Sequence, residues 1–214
     1  MKTKLLVGTA ATGAALLSTL VLGGTAAASD DDGHGHRHDN VVQGRLNTLN
    51  NSGVTGDARI KVEGKKLQVR YHAENLAPGL PHAAHIHYGE EAAHECPTVK
   101  DDANHDFRLN VAEGLPRYGP IAVSLTTRDD TSPASALDVA RFSTAPRGTI
   151  DYARSIQTSR DVARAIKAGE GVLVVHGVDY NNNGKYDFDS AGPSELPGGL
   201  PAEATDPAVC GVLR

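Results

Sequence analysis

Tryptophan is absent and aromatic residues make up only 4% of the chain, so any folded core has to be filled by Val, Leu, Ile and Ala. Basic residues are outnumbered by acidic ones, 21 to 26. That balance argues against nucleic acid as a partner, because phosphate binding needs concentrated Lys and Arg. No serine-nucleophile motif, phosphate-cradling glycine loop or glycosidase-like carboxylate pair stands out, which removes the commonest hydrolase and nucleotide-dependent classes. No repeat of fixed period is visible, and the C-terminus carries no hydrophobic tail.

The one long apolar stretch runs from Leu5 to about Leu22, preceded by Lys2 and Lys4 and followed by Ala26-Ala27-Ala28. Charge, apolar run and small residues in that order read as a cleavable secretory signal over residues 1–28. A membrane helix would lack the small-residue ending and carry a basic stop-transfer flank. The expected mature protein is secreted, extracellular and free of the membrane. It has 186 residues, with 19 basic and 26 acidic side chains and a formal charge of −7, enough chain for one domain with a respectable core. Cys96 and Cys210 are its only cysteines. In an oxidising compartment the simplest arrangement joins them to each other; free thiols and an intermolecular bridge are the alternatives.

Residues 29–40 are polar and low in complexity, and read as a disordered tail whose His34, His36 and His38 can capture metal transiently. Beyond it, Ala58, Ile60 and Val62, then Leu67, Val69, Tyr71 and Ala73, alternate with polar residues around Glu63-Gly64-Lys65. That pattern predicts two half-buried antiparallel strands. Further strands are expected over 83–87, 121–127, 139–142, 149–156 and 171–176, with a short helix from Ser159 as N-cap to Gly169 as C-cap. Residues 41–214 are therefore expected to form a mostly β, single-domain antiparallel β-sandwich or Greek-key barrel with one short helix.

The sharpest chemical signal is His85-Ile86-His87. Residues two apart on a strand share a face, so both imidazoles can reach one metal ion while Ile86 points into the core. Gly171-Val172-Leu173-Val174-Val175-His176 delivers a third His at the end of a buried strand. Three imidazoles with no nearby Cys suit copper or zinc.

Together His85-Ile86-His87, Cys96, Leu173-Val174-Val175-His176 and Cys210-Gly211-Val212 resemble copper/zinc superoxide dismutase over roughly the last two thirds of the chain. The resemblance implies copper ligation by His85, His87 and His176, a Cys96–Cys210 disulfide, and superoxide as substrate. The family's zinc loop has no proper counterpart, since only His94 and His105 lie between His87 and His176. Zinc is accordingly not expected, and His105 is the candidate fourth copper ligand by chain order. Where the family places a substrate-guiding Arg, three residues before the second Cys, this chain has Pro207, which predicts weak or no dismutation. The Ala83-Ala84-His85-Ile86-His87 stretch also resembles CHRD-type domains, implying the alternative of a non-catalytic extracellular binding module.

Two acidic stretches suggest calcium. Asp102, Asn104, Asp106, Arg108 through its carbonyl, Asn110 and Glu113 occupy positions 1, 3, 5, 7, 9 and 12 of a calcium loop, with Phe107 where the motif wants Gly. Asp179, Asn181, Asn183, Lys185 through its carbonyl and Asp187 repeat the start with Gly184 in place, but position 12 is Ser190. Both also fit ordinary Asx-rich turns.

Overall fold

The structure is a computed structural model that describes residues 40–214; the expected export signal and almost all of the expected His-rich tail fall outside the described residues. Among the described residues ten strands form the framework: β1 (Val41–Thr48), β2 (Thr55–Glu63), β3 (Lys66–Glu74), β4 (Pro81–His82), β5 (Ala84–His87), β6 (Ile121–Ser124), β7 (Ser143–Thr144), β8 (Ile150–Gln157), β9 (Val172–His176) and β10 (Pro207–Val212). Eight of them make one antiparallel sheet in the order β6-β5-β9-β10-β1-β2-β3-β8, and β4 pairs with β7 apart from it. The sheet curls into a half-barrel. Its two edges approach where Tyr152 donates a hydrogen bond from its hydroxyl to the Thr126 carbonyl and Arg154 donates to Thr126 and to the Asp129 carbonyl.

The alternation in β2 and β3 is realised as pairing of Ala58 with Tyr71, Ile60 with Val69 and Val62 with Leu67, all buried on the inner face. Gly64, at φ 63°, supplies the left-handed turn between them. β9 has no alternation because it is buried on both faces. Leu173 and Val175 join Ile86 in the main core, while Val172 and Val174 join Leu49, Leu109, Tyr118 and Cys210 in a second cluster. That second cluster forms beneath the segment 88–120, which Cys96 ties to β10 through a disulfide with Cys210.

The expected helix is present as α2 (Arg160–Lys167), with Ser159 accepting the Val162 N–H as N-cap and Ala163, Ala165 and Ile166 buried. Two further helices were not expected: α1 (Val111–Tyr118), which contains Gly114 and Pro116, and the single turn α3 (Ala202–Thr205). The α1 signal was its capping box, Asn110 with Glu113, the same two residues that fit calcium positions 9 and 12. Residues 139–142, expected as a strand, instead make a 3₁₀ turn at Val139–Arg141 that buries Phe142. β1 and β10 also escaped the pattern, because glycines interrupt their apolar residues. Those glycines mark close approach: a Cβ on Gly44 would lie 2.5 Å from the Val212 carbonyl oxygen, and one on Gly211 would lie 2.5 Å from that of Arg45.

The disulfide spans a sequence separation of 114 residues, so its removal should free much denatured-state entropy. The Cys96→Ala/Cys210→Ala double variant is expected to lose about 4–5 kcal/mol in reversible denaturant unfolding. A loss below about 1 kcal/mol would show that packing alone holds segment 88–120 in place.

Candidate metal centre

The site is assembled on the outer face of two neighbouring strands. In the β5–β9 register His85 lies opposite Val174 and His87 opposite Val172, and the His176 N–H donates to the Ala83 carbonyl at 2.7 Å. Alternation then places His85, His87 and His176 on the face that carries Val172, Val174 and Cys210. All three are buried, and one nitrogen from each lies within 4.8 Å of the others. Ring centroids are 5.8 Å apart for His85–His87, 5.1 Å for His85–His176 and 6.2 Å for His87–His176.

Each ring is held by a backbone carbonyl at its far nitrogen. His87 donates from Nδ1 to the Gly119 carbonyl at 2.8 Å, His176 from Nδ1 to that of Thr205 at 2.6 Å, and His85 from Nε2 to that of Ala136 at 3.2 Å. A carbonyl only accepts, so each of these nitrogens carries the proton and the other holds a lone pair. Those other nitrogens, His85 Nδ1, His87 Nε2 and His176 Nε2, are buried with no hydrogen-bond partner. Three convergent, unpartnered lone pairs are unfavourable in isolation. One metal ion placed between them could satisfy all three at once.

The surroundings favour neutral rings. Burial pushes His87 down to about 3 and His176 to about 4, and takes His85 well below the ordinary imidazole range, with repulsion from the neighbouring imidazoles lowering His85 and His87 further. At neutral pH all three are deprotonated and ready to bind. Tyr118 packs on His87 at 4.4 Å between centroids, and Phe142 meets His85 edge-on at 5.3 Å. A cavity of about 30 Å³ reaches the rings between Val111, Ile121, Leu137, Val139, Leu196 and Leu200, and its lining includes no Lys or Arg. That volume admits about one water-sized body.

The remaining site expectations divide differently. His105 does not join the cluster: it is exposed in the loop after Asp102, at φ 61°, where the backbone curls around that loop's own side chains. His94 is stacked on Tyr88 and donates from Nε2 to the Gly89 carbonyl. In the first acidic loop Asn110 and Glu113 cap α1, Asp106 meets Arg108, and Asn104 accepts the Asp106 N–H. In the second, Asp179 accepts the N–H groups of Asn183 and Gly184, Asn181 accepts that of Asn183, and Asp187 pairs with Lys185.

Sequence reasoning missed the groups that orient the ligands. Gly119, Ala136 and Thr205 act through carbonyls, which leave no trace in residue type. His82 is fully buried and donates from Nδ1 to the His176 carbonyl at 2.8 Å, with Tyr186 edge-on against its ring. It reads in the sequence as one histidine among ten.

Nitrogen-resolved NMR of the metal-free protein is expected to find His87 and His176 protonated at Nδ1, and His85 at Nε2. Because their folded values lie below the free imidazole value of 6.5, the unfolded chain takes up protons first on acidification. Stability of the metal-free protein should therefore be full above pH 6.5 and fall as pH drops towards 4; a stability that rises over this interval would contradict buried neutral rings. Compared with family models and with curated proteins, the chain matches none, so its function is argued from this centre.

Proposed function

We propose that the chain is an exported copper protein of the superoxide dismutase type, holding the ion with His85, His87 and His176. The observation that carries the reading is the convergence of three buried imidazole nitrogens that lack any partner. Neither cysteine is free to compete, and among the described residues no carboxylate belongs to the cluster. An all-imidazole set accepts both copper and zinc, and intrinsic affinity then favours copper. Export fits the disulfide, which persists outside the reducing cytosol.

When bound, copper supplies one-electron redox chemistry. The chain's own residues fix the three rings through the Gly119, Ala136 and Thr205 carbonyls, so little reorganisation is needed on binding. Val111, Ile121, Leu137 and Leu200 restrict the approach to small molecules. None of the lining groups attracts an anion. Pro207, opposite His176 in the β9–β10 register, stands where the resembled family carries its guiding Arg. Apart from the ion itself, nothing in the lining concentrates or orients superoxide, and dismutation should be weak. The same apolar lining favours the second reading, a non-catalytic extracellular binding module of CHRD type stabilised by its disulfide and calcium loops.

Copper titration of the full chain followed by calorimetry should reveal a tight site that His87→Ala weakens at least about 100-fold while leaving the β-sheet circular dichroism unchanged. The copper-loaded protein should consume superoxide little faster than the metal-free protein. Rapid dismutation would restore the enzyme reading, and an unaltered copper titration in His87→Ala would remove this centre as the copper site.

A further inference from the structure

We propose that residues 102–113 bind one calcium ion, independently of the histidine centre. Asp102 is only 8% exposed, and its Oδ2 accepts the N–H of Phe107 from across the loop at 2.9 Å. Its carboxylate is thus turned into the loop, yet Oδ1 is buried and has no hydrogen-bond partner. Six buried side-chain polar atoms among the described residues share that condition. Three are the imidazole nitrogens of the metal centre, which makes Asp102 Oδ1 notable on the same grounds. A buried carboxylate oxygen facing no donor is satisfied most directly by a cation.

The backbone supports that reading. Asp102, Asn104, Asp106 and Glu113 stand at the spacing of a calcium loop, with the Arg108 carbonyl at position 7. At position 6, where that loop needs a left-handed residue, Phe107 has φ 64° although it is bulky. Packing does not hold it there, because Phe107 is 91% exposed; the loop conformation does. Glu113 closes the ring by accepting the N–H groups of Ala103 and Asn104 at its Oε1. Leu109 is anchored by a reciprocal pair of hydrogen bonds with Asn50. Arg108 contacts Asp106 but also pairs with the buried Asp206, so a divalent ion can take over Asp106 without stranding the guanidinium.

The loop starting at Asp179 is the internal contrast. Gly184 has φ 81° and its N–H reaches Asp179 Oδ2 at 2.8 Å, which is the same turn. There, however, the other Asp179 oxygen accepts the Asn183 N–H, the Lys185 ammonium sits 2.8 Å from Asp187, and none of the six unpartnered atoms belongs to the loop. The observations single out the first loop.

The test is isothermal titration of chelator-treated, copper-free full-length protein with calcium chloride. One site is expected, with a dissociation constant on the order of 10⁻⁴ to 10⁻³ M as in extracellular modules. Asp102→Asn should weaken it at least about tenfold, and Asp179→Asn should leave it unchanged. Should Asp102→Asn fail to fold, Asn104→Ala on the exposed side of the loop gives the same reading and should also weaken binding. No heat at several millimolar calcium, full binding in both Asp102→Asn and Asn104→Ala, or loss only in Asp179→Asn would each overturn the proposal. None of these readouts involves copper, so they stand or fall apart from the histidine centre.

Discussion

Burial of the outer face of β5 and β9 is the constraint on which the rest of the molecule depends. An antiparallel sheet ordinarily leaves one face to water, and three histidines on such a face would be solvated and separately mobile. Here the segment 88–120 lies over that face, held by the Cys96–Cys210 disulfide and by the packing of Leu109, Tyr118, Val172 and Val174. The covering segment also supplies the Gly119 carbonyl that fixes His87. Removing water from the rings lowers their proton affinity and leaves three lone pairs with nothing else to meet. Disulfide, second core and histidine cluster thus depend on one another.

Much of this was legible in the residues, and the parts that were not have identifiable reasons. Alternation revealed β2 and β3 because one face of each is wet, and His85-Ile86-His87 was readable because strand geometry alone puts both rings on one side. The unbroken Val172–Val175 run announced burial but did not say what buried the second face. β1 and β10 were hidden by Gly44 and Gly211, whose lack of a side chain is a tertiary requirement of strand approach. His105 was chosen by chain order as a ligand, and chain order carries no information about a loop that curls away from the sheet. Asn110 and Glu113 show a different ambiguity: one spacing fits both a helix capping box and a calcium loop, and the structure uses it for the capping box.

Under the proposed reading, the histidine set and the lining around it are separate matters. Ligand geometry comes from β5 and β9, whereas substrate attraction comes from the loops around them. In this chain the loops present Leu137, Leu196 and Leu200, the start of α1 presents Val111, and the β10 position beside His176 is Pro207. A low-dielectric apolar mouth strengthens interactions inside it but offers an anion no inducement to enter. Within the proposed reading, metal binding depends on the sheet and any catalysis on its cover.

The central claim is that His85 Nδ1, His87 Nε2 and His176 Nε2 share one ion. Anomalous diffraction at the copper edge from crystals of the copper-loaded protein tests it most directly. The account predicts a single buried peak within about 2 Å of each of those three nitrogens. A peak confined to other residues, with the three rings unchanged and empty between them, would contradict it.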